Sequence, residues 1–347
     1  MKAVQMTTTG APQVLVVVEL AEPQIDSPTQ LKVRLKAAGV NPVDTKIRTR
    51  GLFAQGELPA VLGCDGVGEV VETGKDVTRL RPGDDVWFCN GGLGGVQGNY
   101  AEFTVVDEQV ARRKPRALTY IEAAAAPLVL ITAWEALYHR ARLQEGQTVL
   151  VHAGAGGVGH VAIQLAKHAG ARVITTVSSE EKAQLARSLG ADEAVLYRER
   201  DFVEAVNEWT GGRGVDVALD TLGGEVFRRT LDAVVHYGDV VTLLDPGTDV
   251  VWKEARNRNL RVGFELMLTP MLHDLQEARN RHGKILDGCA DLFQKGELRI
   301  VVGKTLPFEE AAQAHALIEE GHGIGKIVLT MPLRTLPKGE GHAKESG

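Results

Sequence analysis

Residues 148–160, TVLVHAGAGGVGH, run from a strand-like stretch (Thr148, Val149, Leu150, Val151) straight into Gly154, Gly156 and Gly159 at G-x-G-x-x-G spacing. Each glycine has a separate task in such a turn. One lets the backbone reverse, one lets it approach a pyrophosphate, and one lets the following helix close on the strand. The helix start then offers unsatisfied N–H groups and the positive end of its dipole to phosphate. Glycine spacing alone is weak, because any glycine-rich turn can match it; the flanks make it specific. Residues 158–168 are apolar at helical spacing through Val161, Ile163, Leu165 and Ala166, Gly170 supplies a stop, and a second strand is expected at 172–177. Strand, glycine turn, helix and strand thus come in the order of a dinucleotide fold, with Gly154, Ala155, Gly156, Gly157, Val158 and Gly159 against the phosphates.

At 347 residues the chain is too long for one ordinary core, so two domains are expected. Its net charge is −6 and its positive residues are scattered rather than gathered in a stripe, which argues against a nucleic-acid partner. The N-terminal segment lacks a basic patch followed by an apolar signal core, and no run reaches the ~18 apolar residues of a membrane span. A cytoplasmic protein with no membrane partner is expected. Cys64, Cys89 and Cys289 each stand alone in the sequence, which predicts plain buried thiols rather than a disulfide framework or a metal knuckle.

Residues 1–125 carry short β-like runs at 14–18, 31–35, 68–72 and 85–88 between Pro and Gly turns, and are expected to form a β-rich domain. From 126 to 298 strands near 148, 172, 193, 215, 239 and 261 alternate with helical patterns, which predicts an α/β unit with a doubly wound, six-stranded parallel sheet. A helical stretch at 272–295 ends that unit. The β-like segments 299–302 and 326–329 bracket a helix at 309–320, and because six strands already complete the nucleotide unit, 299–334 is assigned back to the first domain. Residues 335–347 are expected to be a polar tail.

This order of parts, with AAGVNPVDTKIR at 37–48, LGCDGVGEVVETG at 62–74, RPGDDV at 81–86, YAEF at 100–103, LITAWEAL at 130–137, AGAGGVG at 153–159, DTLGG at 220–224 and GKIVL at 325–329, resembles the medium-chain dehydrogenase/reductase superfamily over nearly the whole chain. The resemblance implies a GroES-like catalytic domain into which a Rossmann domain is inserted. The zinc branches of that family carry a cysteine after the first motif and a Gly-His-Glu triplet downstream. Here those places hold Val40-Asn41-Pro42 and Gly63-Cys64-Asp65, and the four cysteines of a structural zinc lobe are missing. The chain therefore resembles the zinc-free quinone oxidoreductase group, which includes ζ-crystallin and the alkenal and enone reductases, and no metal is expected. Without a Lewis acid, simple alcohol dehydrogenation is disfavoured.

The end of the second strand bears on the cofactor. An acidic residue there would bind an NAD ribose, whereas Ser178 and Ser179 stand here with Lys182 one turn on, groups that suit a 2′-phosphate or serve only as a helix cap and a surface lysine. The resemblance implies NADPH, with Lys182 and Tyr197 matching the family's lysine and tyrosine about that phosphate. It also implies Asn41 at the nicotinamide and substrate, Lys46 toward the acceptor, Thr132 at the nicotinamide ring and Lys326 near the cofactor. Residue type alone leaves other readings open: Asn41 as a turn former before Pro42, Asp44 as an orienting group or a helix cap, Lys46 as a solvated lysine, Thr132 bonded to its own helix, Lys326 as a strand-end charge. His152 and His160 have no partner at ligand spacing and are read as structural. The glycine-rich loop at 90–100 is expected at a substrate mouth, with Tyr100 as one wall.

The expected function is NADPH-dependent reduction of quinones or α,β-unsaturated carbonyl compounds. One alternative is an enoyl-thioester reductase, for which Arg48 and Arg50 would make a basic mouth. Another, of a different class, is an NADPH-binding structural or RNA-binding protein with little catalysis. The family's usual pairing through the last strands of the nucleotide domains implies a homodimer.

Overall fold

The computed structural model describes residues 1–332; the polar tail expected at 335–347 lies outside the described residues. A small antiparallel sheet joins β1 (Lys2–Met6) to β2 (Leu15–Glu19) and, after the long strand β3 (Gln30–Val40) and helix α1 (Pro42–Arg50), to β4 (Ala60–Val61). β3 is the axis of a second, seven-stranded sheet with β5 (Asp65–Thr73), β6 (Asp85–Cys89), β7 (Phe103–Asp107) and β8 (Arg112–Arg113). Leu31, Val33 and Leu35 lie at every second position of β3 and are all buried, the period of a strand with a core face. Helix α1 opens with Pro42, whose missing N–H costs nothing in a first turn, and stops at Gly51, where φ is +107°.

Helix α2 (Pro127–Trp134), prolonged by a π-helical turn over Glu135–Arg140, leads into the third sheet. There β9 (Thr148–Val151), helix α3 (Gly159–His168), β10 (Arg172–Val177), helix α4 (Glu180–Ser188), β11 (Glu193–Leu196), β12 (Val215–Asp220), β13 (Val234–Thr242) and β14 (Arg261–Phe264) follow in turn. The strands are all parallel in the order β11-β10-β9-β12-β13-β14, two halves that diverge between β9 and β12. This is the switch point at which doubly wound sheets bind ligands. All four residues of β9 are buried, as expected of a central parallel strand. The six strands anticipated from the sequence are present, and the architecture is a GroES-like unit combined with a Rossmann sheet.

After helix α5 (Gln276–Lys295) come β15 (Val302–Pro307), helix α6 (Ala311–Glu320) and β16 (Lys326–Thr330). β15 and β16 pair in parallel, and β16 runs antiparallel to β3 with Ile327 opposite Val40, so both join the seven-stranded sheet. The strand expected at 299–302 begins only at Val302. Side chains of α3 claim the preceding backbone instead: Arg299 N donates to Gln164 Oε1 at 3.0 Å and Val301 N to His160 Nε2 at 3.1 Å.

The turn between β9 and α3 has no room for side chains on its packed side. A Cβ on Gly154 would stand 2.1 Å from Thr175 Oγ1, and one on Gly159 2.2 Å from the Ala153 carbonyl oxygen. Gly159→Ala should therefore destabilise the fold by about 1–3 kcal/mol, the usual cost of overpacking. Gly263→Ala, whose Cβ would approach nothing nearer than 4.0 Å, should stay within about 0.5 kcal/mol of wild type. Urea unfolding of both variants checks this, and equal stabilities would refute it.

Candidate active site

Asn41 ends β3's excursion and begins α1, and its backbone N–H donates to Asp44 Oδ2 at 2.8 Å, so the acid three residues on reaches back as in a capping box. Its side chain faces inward. Nδ2 donates to Asp65 Oδ2 at 3.0 Å, while Oδ1 accepts from the Lys326 ammonium, which also lies 3.5 Å from Asp65 Oδ2. Asp65 Oδ1 accepts the backbone N–H of Leu128 at 2.8 Å in the first turn of α2. One turn on, Thr132 Oγ1 donates to the Leu128 carbonyl at 2.7 Å. Asn41, Asp44, Asp65, Thr132 and Lys326 are all buried. Four of the five residue positions the sequence singles out for this region, Asn41, Asp44, Thr132 and Lys326, thus form one connected cluster with Asp65.

Lys46 is the fifth, and it stands apart. It is half-buried on α1, its ammonium makes no hydrogen bond among the described residues, and burial, aided by nearby Arg50, holds its pKa below the usual lysine range. Asp44 is different: burial pushes its carboxyl up to about 7, against the hydrogen bonds from Asn41 and Tyr100 that favour the charged form. Burial also raises the Asp65 carboxyl, with the Lys326 ammonium pulling the other way. Tyr100 is a correction to the expected mouth. It is fully buried, its hydroxyl donates to Asp44 Oδ2 at 3.0 Å and meets His315 Nε2 at 3.3 Å. The ring is a floor beneath the cluster, packed so closely that a Cβ on Gly63 would stand 2.5 Å from it. His315, in the unremarkable helical stretch AAQAHALIEE, had no local signal; burial drives its imidazole down to about 3 and keeps it neutral.

The three cysteines are free, buried thiols, as expected. Cys64 and Cys89, apart in the sequence, are brought together where Asp65 pairs with Cys89 across β5 and β6, and the Cys89 side chain together with burial holds the Cys64 thiol well above its ordinary range. Arg48 does not line a mouth. It is buried, and its guanidinium is spent on the Gly10 carbonyl and the Glu319 carboxylate. His152 bonds Thr176 Oγ1 at 3.1 Å and Thr230 Oγ1 at 2.8 Å, and His160 bonds the Gly156 carbonyl at 2.9 Å, contacts internal to the fold.

The glycine turn has the shape a pyrophosphate needs. Gly156 and Gly157 are half-exposed, and a Cβ on Gly157 would meet Lys326 Cδ at 3.3 Å and Val129 Cγ1 at 3.6 Å, so the aliphatic stem of Lys326 passes this turn on its way to Asn41. Among the described residues the N–H groups of Gly157 and Val158 enter no backbone hydrogen bond, which leaves them for a ligand at the start of α3. At the end of β10, Ser178 is half-buried, Tyr197 N donates to the Val177 carbonyl at 3.1 Å, and Lys182 stands in the first turn of α4. Glu180 is turned aside by Arg187 at 2.9 Å. The strand end itself, Val177-Ser178-Ser179, carries no carboxylate, so these residues fit a phosphorylated adenosine ribose.

Residues 27–116 match the family model of the alcohol dehydrogenase GroES-like domain, and residues 189–329 that of the zinc-binding dehydrogenases. A quinone oxidoreductase of Pseudomonas aeruginosa is 33% identical over 328 residues, 94% of this chain and 99% of its own length. A 2-haloacrylate reductase of Burkholderia sp is 34% identical, over 87% of this chain and 91% of that protein. The crystal structure of Escherichia coli quinone oxidoreductase complexed with NADPH superposes with a TM-score of 0.83 at 29% identity, covering 95% of this chain and all of that one.

The raised Asp44 carboxyl has a consequence for stability. A carboxyl near 7 in the fold and near 3.8 unfolded keeps its proton longer in the native state, so the native state binds more protons between those values. Stability then falls as pH rises from about 4 to 7, by at most about 1.4 kcal/mol per pH unit. Asp44→Asn should flatten the stability-pH curve over that window, with little difference from wild type below pH 4. Thermal unfolding across pH 4 to 8 checks it; parallel curves for the two proteins would refute it.

Proposed function

This chain belongs to the medium-chain dehydrogenase/reductase superfamily, in its quinone oxidoreductase group of NAD(P)H oxidoreductases, and we propose that it is an NADPH-dependent, zinc-independent reductase of quinones or α,β-unsaturated carbonyl compounds. The observation that carries this reading is the buried Lys326 ammonium, bonded to Asn41 beside Asp65 at the place where zinc relatives keep metal ligands, and reached past the glycine turn. A divalent cation would have to displace an ammonium already held there. It would then face the Asp44 carboxyl and the Cys64 thiol, which their buried surroundings bias toward protonated, non-ligating forms.

NADPH, when bound, supplies the hydride. The free amides at the start of α3 hold its pyrophosphate, Ser178, Lys182 and Tyr197 its 2′-phosphate, and Thr132 and Lys326 the nicotinamide end. Asn41, fixed by Asp44 through its backbone and by Asp65 through its amide, orients the acceptor. A conjugated acceptor carries activation in its own π-system, so the protein needs only to place it and stabilise the oxygen that becomes negative. Lys46 is the group we assign to that oxygen, as a cation or as a proton donor. The unit at 1–125 and 299–334 thus supplies the acceptor side and the unit at 126–298 the cofactor side. The name of the Burkholderia relative, a reductase of a haloacrylate, supports a conjugated acceptor. An enoyl-thioester reductase is less well supported, because Arg48 is committed within the fold.

We also propose a homodimer joined at β14, the outer strand of the parallel sheet. Phe264 and Leu266 are 58% and 50% exposed there, and Val251 and Trp252 add apolar surface beside a groove of about 410 Å³. Sedimentation equilibrium should give twice the chain mass, and Phe264→Lys should shift it to the monomer; a wild-type monomer at micromolar concentration refutes the pairing.

Steady-state oxidation of NADPH with a quinone, an enone and crotonyl-CoA tests the function. Turnover with the first two, undiminished by chelators, is expected; no turnover with either, or chelator-sensitive turnover restored by zinc, would overturn it. Lys46→Met should lower enone kcat by roughly a hundredfold, the usual worth of one well-placed charge at a transition state, and quinone kcat by less. An unchanged enone-to-quinone ratio would return Lys46 to a solvated surface role.

A further inference from the structure

Residues 321–326, Gly-His-Gly-Ile-Gly-Lys, connect α6 to β16 and touch the cofactor groove at three places in sequence order. The His322 carbonyl accepts the Lys182 ammonium at 3.1 Å. Gly325 N donates to the Ala155 carbonyl at 2.8 Å, within the glycine turn. Lys326 then reaches Asn41 and Asp65. Lys182 lies in α4 and Ala155 in the turn after β9, both in the unit built on the parallel sheet, whereas β16 belongs to the seven-stranded sheet, so this short segment fastens the two units along the length of the groove. Its backbone is shaped for that course: Gly321 and Gly325 have φ of +74° and +60°, and a Cβ on Gly325 would stand 2.2 Å from the Val301 carbonyl oxygen.

We propose that residues 321–326 are a specificity-determining strap, through which a 2′-phosphate held by Lys182 tightens the His322 contact and fixes Lys326 against Asn41 and Asp65. An ammonium has three donors, and only the one on His322 is used among the described residues, so Lys182 can hold the strap and a phosphate together. His322 is then a positioning residue through its carbonyl, pre-aiming Lys182. The advantage of NADPH over NADH accordingly appears in kcat as well as in KM, because the lysine at the phosphate holds one end of the segment and the lysine at the nicotinamide end is its other end.

The inference rests on the NADPH reading above, and fragments separate the two. Hydrogen exchange of the amides at 321–325 is compared with saturating 2′,5′-ADP and with saturating 5′-AMP, neither of which carries a nicotinamide. 2′,5′-ADP should slow exchange about tenfold more than 5′-AMP, the effect of one charge-assisted hydrogen bond. Lys182→Met should abolish the difference, and Lys182→Arg should retain part of it. In turnover, Lys182→Met should bring the saturating kcat with NADPH down to that with NADH. Tighter binding of 2′,5′-ADP without extra protection of 321–325, or a Lys182→Met defect confined to KM, overturns the strap alone. If 2′,5′-ADP binds no more tightly than 5′-AMP, the NADPH reading falls and the strap with it.

Discussion

Asp65, the first residue of β5, is fully buried, and its two oxygens hold different parts of the molecule. Oδ1 takes the Leu128 amide in the first turn of α2, where the positive end of the helix dipole favours a carboxylate, and Oδ2 takes the Asn41 amide beside the Lys326 ammonium. A carboxylate in this interior is tolerable only with such company, since desolvation of an unpaired charge outweighs any packing gain. The positions of α1, α2 and β16 therefore depend on one another: leaving either Asp65 or Lys326 without its partner would cost about 3–5 kcal/mol. The same side chain that secures the helix leading into the parallel sheet also aims the residue proposed to meet the acceptor, so stability and site geometry share one anchor.

Space around that anchor is made by glycines, of which Gly39 and Gly66 serve packing rather than turning. A Cβ on Gly39 would stand 2.3 Å from the Ala124 carbonyl oxygen and 3.0 Å from Asp65 itself, and one on Gly66 2.7 Å from the Phe88 ring. Gly63 gives way to Tyr100 in the same manner. Together they let β3, β5 and the Tyr100 ring approach until Asp44, Asn41 and Asp65 share a single buried network. The cost is a set of raised acid pKa values, held in check by hydrogen bonds from Asn41, Tyr100 and Leu128.

What the sequence discloses divides by contact distance along the chain. The glycine turn was legible because its evidence is local: β9, three glycines and the start of α3 lie within 13 consecutive residues and each obeys a short-range rule. The six parallel strands were legible from their alternation with helices. The cluster was legible only through the family resemblance, which placed Asn41, Thr132 and Lys326 at the cofactor; no local rule could join Asn41 to Lys326 across 285 residues, and nothing brought in Asp65 as their link. Residue chemistry alone likewise gave Arg48 to solvent, although Gly10 and Glu319 together bury it, and put Tyr100 at a mouth when a hydrogen bond to Asp44 draws it under the floor. The strand expected at 299–302 starts late because two side chains of α3 compete for its backbone, a tertiary contact that β-propensity cannot register.

The two lysines offer different chemistry, and their surroundings say which. Lys326 is compensated: its charge is met by Asp65 and its donors are turned to Asn41, so its field at an acceptor is largely cancelled and its value is in fixing geometry. Lys46 has no such partner among the described residues, and partial burial with Arg50 nearby loosens its hold on its proton. A general acid works best when its pKa approaches the working pH, whereas a positioning cation gains from staying charged and paired. On the reading proposed here, reduction of a conjugated carbonyl divides accordingly: Lys326 and Asn41 set where the acceptor lies, and the proton that partial burial loosens on Lys46 goes to the oxygen that becomes negative.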